Sequence, residues 1–84
     1  MSELGKRKHK RTAWNRPGVI FSLTGEHIID CLVKDISAGG ARLWVSVEEV
    51  VPDYFRLDYG AKLQPKCSVR WRRASEIGIR FLLT

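Results

Sequence analysis

Apolar residues recur at every second position along this chain, in short runs cut by turn-forming residues, and no stretch shows the spacing of a long helix. Side chains two apart share one face of an extended strand, so each run reads as a strand with one face buried. Pro17-Gly18 leads into a short strand over residues 19–23, and Thr24-Gly25-Glu26 supplies a tight hairpin connection. In the next strand Ile29, Cys31 and Val33 alternate with Asp30, Leu32 and Lys34, and it runs to about residue 35 or 36. Ser37-Ala38-Gly39-Gly40 interrupts the pattern; Ala41, Leu43 and Val45 resume it on one face, with Arg42 and Trp44 on the other. Residues 48–52 suit one helical turn or a loop, and Phe55 and Leu57 suit a short edge strand. Over residues 66–72, Cys67, Val69 and Trp71 share the expected core face against Ser68, Arg70 and Arg72. After a turn at Ala74-Ser75, residues 76–82 close the chain with Ile77, Ile79 and Phe81 inward. Six short strands at spacings of roughly ten residues predict a small antiparallel barrel or sandwich.

Eighty-four residues suffice for one small domain with a thin core. The 44% apolar and 29% charged composition is that of a folded domain. The formal charge of +6 is unevenly placed: residues 1–16 hold Lys6, Arg7, Lys8, Lys10, Arg11 and Arg16 against Glu3 alone, a net of +5, while residues 17–84 carry +1. A nearly neutral body (17–84) with a flexible basic arm (1–16) argues against a uniformly basic DNA-coating protein and for positive charge delivered to one place. No apolar run reaches the roughly 18 residues of a membrane span, and no apolar segment follows the basic N-terminus as in a signal peptide, so a cytoplasmic protein without membrane insertion is expected. Cys31 and Cys67 are isolated and read as buried thiols; with His9 and His27 they form no metal-ligand spacing. Glu48-Glu49 reads as a solvated pair, and no phosphate loop or catalytic grouping is present. The chain is therefore expected to be no enzyme and to need no cofactor or metal.

Two short patterns carry chemistry. Arg7-Lys8-His9-Lys10-Arg11 sets two guanidiniums four positions apart. Such planar, permanently charged forks grip a phosphate bidentately, pair with the O6/N7 edge of guanine or stack on a base. By itself the run is equally a solvated basic tail. Asp35-Ile36-Ser37-Ala38-Gly39-Gly40 lies where one strand ends and the next begins. A carboxylate there accepts from the N–H groups of a guanine or from an arginine, the Ser37 hydroxyl reaches a phosphate or a base, and Gly40 lets a ligand or the arm lie close. By itself this segment is an ordinary polar turn. Together, in this order and before a small β pattern, the two are much rarer by chance than either alone.

The pair resembles the PilZ domain, the bacterial receptor module for the second messenger cyclic diguanylate (cyclic di-GMP), whose ligand site combines Arg-x-x-x-Arg with a later Asp/Asn-x-Ser-x-x-Gly. Arg7, Arg11, Asp35, Ser37 and Gly40 match both motifs, and residues 67–73 and 76–81 are similar to the family's last two strands, so the resemblance covers about residues 5–82. It implies a six-stranded antiparallel barrel in a stand-alone receptor, with the arm folding over its outer surface on binding cyclic di-GMP and altering the surface shown to a downstream protein partner. Arg7 and Arg11 would hold phosphate and guanine, Asp35 and Ser37 the polar edge of a guanine, and Gly40 would leave room for the base. Lys6 stands at the position that in the family bears on whether one ligand or a stacked pair binds. Lys6, Lys10, Arg42, Trp44 and Trp71 are further candidate contacts, with core packing the competing expectation for Trp71. Arg70, Arg72 and Arg73 are candidates for positive potential near the site, with a solvated face the commoner reading for such residues.

A different class also fits the charge pattern: a small β-barrel that binds nucleic acid through phosphate contacts from the arm and stacking on Trp44. Asp35 and Ser37 have no needed part in that reading, so DNA is not the expected partner. An adaptor that has lost its ligand is a third possibility, against which the intact motifs argue.

Overall fold

The structure is a computed structural model that describes residues 11–26 and 28–82. Lys6, Arg7, His9, Lys10 and His27 lie outside the described residues. Six strands are present: β1 (Thr12–Ser22), β2 (Ile28–Ile36), β3 (Gly40–Trp44), β4 (Tyr54–Asp58), β5 (Lys66–Arg73) and β6 (Glu76–Phe81). All pair antiparallel and close into a barrel in the order β1-β2-β3-β6-β5-β4, with β4 returning to β1. Of barrel and sandwich, the barrel is the fold, and the 55–57 segment is no edge, because β4 is paired on both sides. Closure satisfies every strand's hydrogen-bonding rows without an exposed edge. Residues 48–52 are a loop; its tight turn is closed by the Glu49 N–H donating to the Ser46 carbonyl at 3.0 Å.

The core is built from the inward members of the alternating runs. Ile20, Ile29, Val33, Leu43, Phe55, Leu57, Cys67, Ile77 and Ile79 are all buried, and no polar or charged residue among the described ones is. At the end of the barrel where β1 begins, Trp14, Tyr59 and Phe81 extend this core. The Tyr59 and Phe81 rings stack at 5.9 Å, Trp14 meets Tyr59 edge-on at 6.1 Å, and the Trp14 indole N–H donates to the Tyr59 carbonyl at 3.2 Å. These contacts tie the start of β1, the β4–β5 loop and the end of β6 together.

Strict alternation fails at three places, each a one-residue bulge. Strand β1 starts at Thr12 rather than near residue 19, because Asn15, at φ 46°, inserts an extra residue between the Ala13↔Asp35 and Arg16↔Val33 pairs. That insertion hides the strand from a period-two reading, while the pairing with β2 puts residues 12–16, expected in the arm, into the barrel wall. Strand β2 gains a residue at Lys34, between Val33↔Leu43 and Asp35↔Arg42. Strand β5 gains one at Arg70, between Val69↔Ile79 and Trp71↔Gly78. Beyond this third bulge the faces are exchanged. Arg72, expected on a solvated face, reaches the segment between β3 and β4, donating to the Val51 carbonyl at 3.0 Å and to Asp53 at 2.7 Å.

Cys31 and Cys67 are free, buried thiols, as expected. Burial pushes both up to about 12, and the Asp30 charge adds to the rise at Cys31. The folded protein therefore keeps two protons that the unfolded chain gives up near pH 9. The resulting stabilisation is complete below that pH and is lost as pH rises from 9 towards 12. Ellman's reagent at pH 8 should find no reactive thiol in the folded protein and both thiols after denaturation. Rapid native labelling would contradict this burial.

Candidate functional site

The second and third bulges decide where the chemistry goes. Counting by twos from Val33 puts Asp35 on the inward face. The extra residue at Lys34 instead sets it opposite Arg42, on the outer wall. There the carboxylate lies between two guanidiniums: Arg11 Nη1 is 2.6 Å from Oδ1 and Arg42 Nη2 is 2.9 Å from Oδ2. The Asp35 side chain is only 13% exposed, against 52% for Arg11 and 39% for Arg42. Arg42 arrives as its cross-strand neighbour, whereas Arg11 comes from the segment just before β1. The Arg42 Nε is enclosed without a hydrogen-bond partner, so this side chain is held by its two ends rather than along its length.

Ser37 and Gly40 form the turn between β2 and β3. The Ser37 N–H donates to the Gly40 carbonyl at 2.8 Å, and its hydroxyl lies 3.3 Å from the same oxygen. Gly40 is there because β6 crosses at the place its side chain would occupy: a Cβ would run into the Ile79 carbonyl. The loop is pinned from the other side by the Phe81 N–H, which donates to the Gly39 carbonyl at 2.9 Å.

Beside this turn lies an open cavity of about 400 Å³ lined by Arg11, Ser37, Gly40, Arg70, Trp71 and Arg80, among others. That volume falls within the roughly 300–1,000 Å³ of small-molecule sites. Trp71 is not a core residue: the bulge at Arg70 turns it to the outer face, where it is 40% exposed. It lies across β6 directly on Gly78, where a Cβ would collide with the indole. Arg70 and Arg80 have no carboxylate within 4 Å among the described residues. The cavity thus joins an aromatic ring, a hydroxyl and unneutralised guanidiniums, with the Arg11–Asp35 pair at its margin. That set suits an anionic ligand bearing a flat ring.

Of the expected site residues, Arg11, Asp35, Ser37, Gly40 and Trp71 are brought together, and Arg42 joins them through Asp35 rather than by lining the cavity. Trp44, one of the further candidate contacts, is not among the lining residues. It lies four residues along β3 from Gly40, on the order of 13 Å of extended strand, and pairs with Glu76 at the far end of β6. Arg7, Lys6 and Lys10 lie outside the described residues. Two lining residues, Gly78 and Arg80, were not singled out in the sequence. The strand pairing reveals Arg80, which is in register with Gly40 on one side and Ser68 on the other.

Among the described residues no cluster of His, Cys, Asp and Glu is arranged for a metal, and no helix is long and apolar enough to cross a membrane. Comparison with known proteins gives one result that bears on this geometry. A protein-family profile described as PilZ domain matches residues 5–84, essentially the whole chain. No curated protein matches it.

Proposed function

The chain belongs to the PilZ domain family, whose members are cyclic di-GMP receptor and effector modules rather than enzymes, and on that premise we propose that it binds cyclic di-GMP in the cavity beside the 37–40 turn. The observation that carries this reading is the approach of Arg11 to Asp35 across the barrel surface, next to Ser37, Gly40 and an exposed tryptophan face. One residue of each motif, from the start of β1 and the end of β2, thereby meets at a single place on the outer wall.

The ligand has two phosphates and two guanines. Arg11, with Arg7 from the arm, holds phosphate and the acceptor edge of a guanine, where two parallel N–H donors match two acceptors. Asp35 accepts from the guanine N–H groups, and the Ser37 hydroxyl adds a hydrogen bond at the turn. Gly40 serves the site through the close approach of β6, where the Ile79 carbonyl takes the place of a Cβ, rather than by clearing room for the base, and Trp71 offers a ring face for stacking. Arg70 and Arg80 contribute positive potential, as do Lys6 and Lys10 on the arm. Asp35 is already paired in the free protein, so the ligand exchanges partners: it takes N–H contacts at the carboxylate and frees Arg11 for phosphate. Closing the arm over the ligand alters the surface offered to a downstream protein, and the receptor works in the cytoplasm without cofactor or metal.

Titration calorimetry with cyclic di-GMP tests this, with saturable micromolar or tighter binding expected. Absence of binding, or steeply salt-dependent binding of single-stranded oligonucleotides in its place, would overturn it. Trp71→Ala should weaken the dinucleotide by about 1–3 kcal/mol, the range for loss of one base-stacking platform. In the parent protein, ligand should quench tryptophan fluorescence, and Trp71→Phe should abolish most of that change; an unaltered signal in Trp71→Phe would place the ligand elsewhere.

A further inference from the structure

A second depression, of about 520 Å³, opens on the other side of the 37–40 turn. Its floor is Tyr59 and Phe81, its rim includes Leu63, 78% exposed, and Arg56 and Lys66 stand over it. We propose that this groove is the docking face for a partner protein, and that it takes an exposed segment combining acidic with bulky apolar side chains.

Three observations select that occupant. Neither Arg56 nor Lys66 has a carboxylate within 4 Å among the described residues. Arg56 donates one N–H to the Gln64 carbonyl at 3.2 Å, which fixes the guanidinium over the loop and leaves other donors for a visitor. Asp58 is engaged by its own loop, accepting from the Gly60 N–H at 3.0 Å and from the Gln64 side-chain amide at 3.5 Å, and it forms no ion pair with Arg56 or Lys66. The floor is rigid as well as apolar, since Tyr59 stacks on Phe81 and is braced by the Trp14 edge. Rigid aromatics beside arginine are the side chains on which interface energy concentrates. Nucleic acid is a poorer occupant, because Tyr59 and Phe81 each give a ring face to the other. Residues 1–10, with Lys6, Arg7, Lys8 and Lys10 against Glu3, would be repelled.

The groove and the first cavity share a wall. Ala38 faces the groove, while Ser37, Gly39 and Gly40 line the cavity, and the Phe81 N–H bonds to the Gly39 carbonyl. A ligand that shifts the turn therefore moves one wall of the groove. This coupling rests on the receptor reading above; the docking itself does not.

The test is selection of phage-displayed random peptides on the full chain, followed by calorimetry of the enriched peptides with and without cyclic di-GMP. Lys66→Glu and Leu63→Ser serve as groove variants; Leu63 is largely exposed, and circular dichroism checks that both fold. Enriched peptides should pair Asp or Glu with Phe, Leu or Trp. They should lose about tenfold or more in affinity on Lys66→Glu, as expected where opposite charges become like charges. They should also change affinity by about fivefold or more when the dinucleotide is present, the usual lower range of coupling between two sites. No enrichment, enrichment without acidic residues, or equal binding to Lys66→Glu would overturn the assignment. So would tighter binding of a peptide of residues 45–52, whose Val47-Glu48-Glu49-Val50 is exposed, because the occupant would then be a second copy of this chain. Competition by oligouridylate would point to nucleic acid and equally overturn it. Both groove variants should bind cyclic di-GMP as the parent does. Peptide binding without dinucleotide binding would sink the receptor reading and leave the groove standing, and dinucleotide binding without peptides would do the reverse.

Discussion

Arg11→Ala and Asp35→Ala should each weaken cyclic di-GMP binding roughly 30-fold to several thousand-fold, the equivalent of about 2–5 kcal/mol for removing one partner of a hydrogen-bonded charged contact. The pair sits 2.6 Å apart with Asp35 nearly covered, so loss of either group leaves the ligand's matching atoms unserved. Asp35→Ala has a second consequence. Arg42 would lose its only carboxylate among the described residues, with its Nε already unpartnered, and would swing away from its place beside β2. Asp35→Asn keeps an acceptor of the same shape and should retain more affinity than Asp35→Ala. Neither change should unfold the protein: an ion pair whose arginine is half exposed contributes about 1 kcal/mol or less to stability. Calorimetry beside thermal melts separates the two effects. Wild-type affinity in both alanine variants would contradict the assignment of this pair to the ligand.

The largest stability effect should come from Phe55→Ala. Phe55 is fully buried and is the largest of the wholly enclosed side chains, in a domain of 84 residues. Removing it costs about 3–5 kcal/mol, from lost transfer energy and from a cavity the barrel cannot fully close. A domain of this size loses roughly 4–8 °C of melting temperature per kcal/mol, so a drop on the order of 20 °C is expected. It should appear in a circular dichroism melt together with loss of the native thiol protection. A drop of only a few degrees would show that strands β1 and β4 repack around the void.

The strands with regular alternation were legible in the sequence because their inward residues repeat every second position, as Ile29, Cys31 and Val33 do before the turn. The start of β1 was not legible, since Asn15 adds a residue and breaks the period. The same cause misplaced Trp71, whose expected core face holds only as far as Val69; the bulge at Arg70 turns the indole outward onto Gly78. The motif residues could be named in advance, but their meeting could not. Nothing in the spacing of Arg11 and Asp35 says that β1 runs antiparallel to β2 with Ala13 opposite Asp35, which is what brings the guanidinium to the carboxylate. Arg42 was expected beside the ligand, and the register makes it the neighbour of Asp35. Arg80 became visible as a site residue only once β6 was paired with Gly40. Sites made by bulges are the hardest to read from a pattern, because a bulge is the place where the pattern stops.

An NMR titration of the labelled protein with cyclic di-GMP tests the central claim most directly. Amide signals of Arg11, Asp35, Ser37 and Gly40 and the indole signal of Trp71 should shift together and saturate. Signals of residues 6–10 should change in the same concentration range as the arm joins the site. Shifts confined to Trp44 and the opposite end of the barrel, or no shift at saturating ligand, would contradict it.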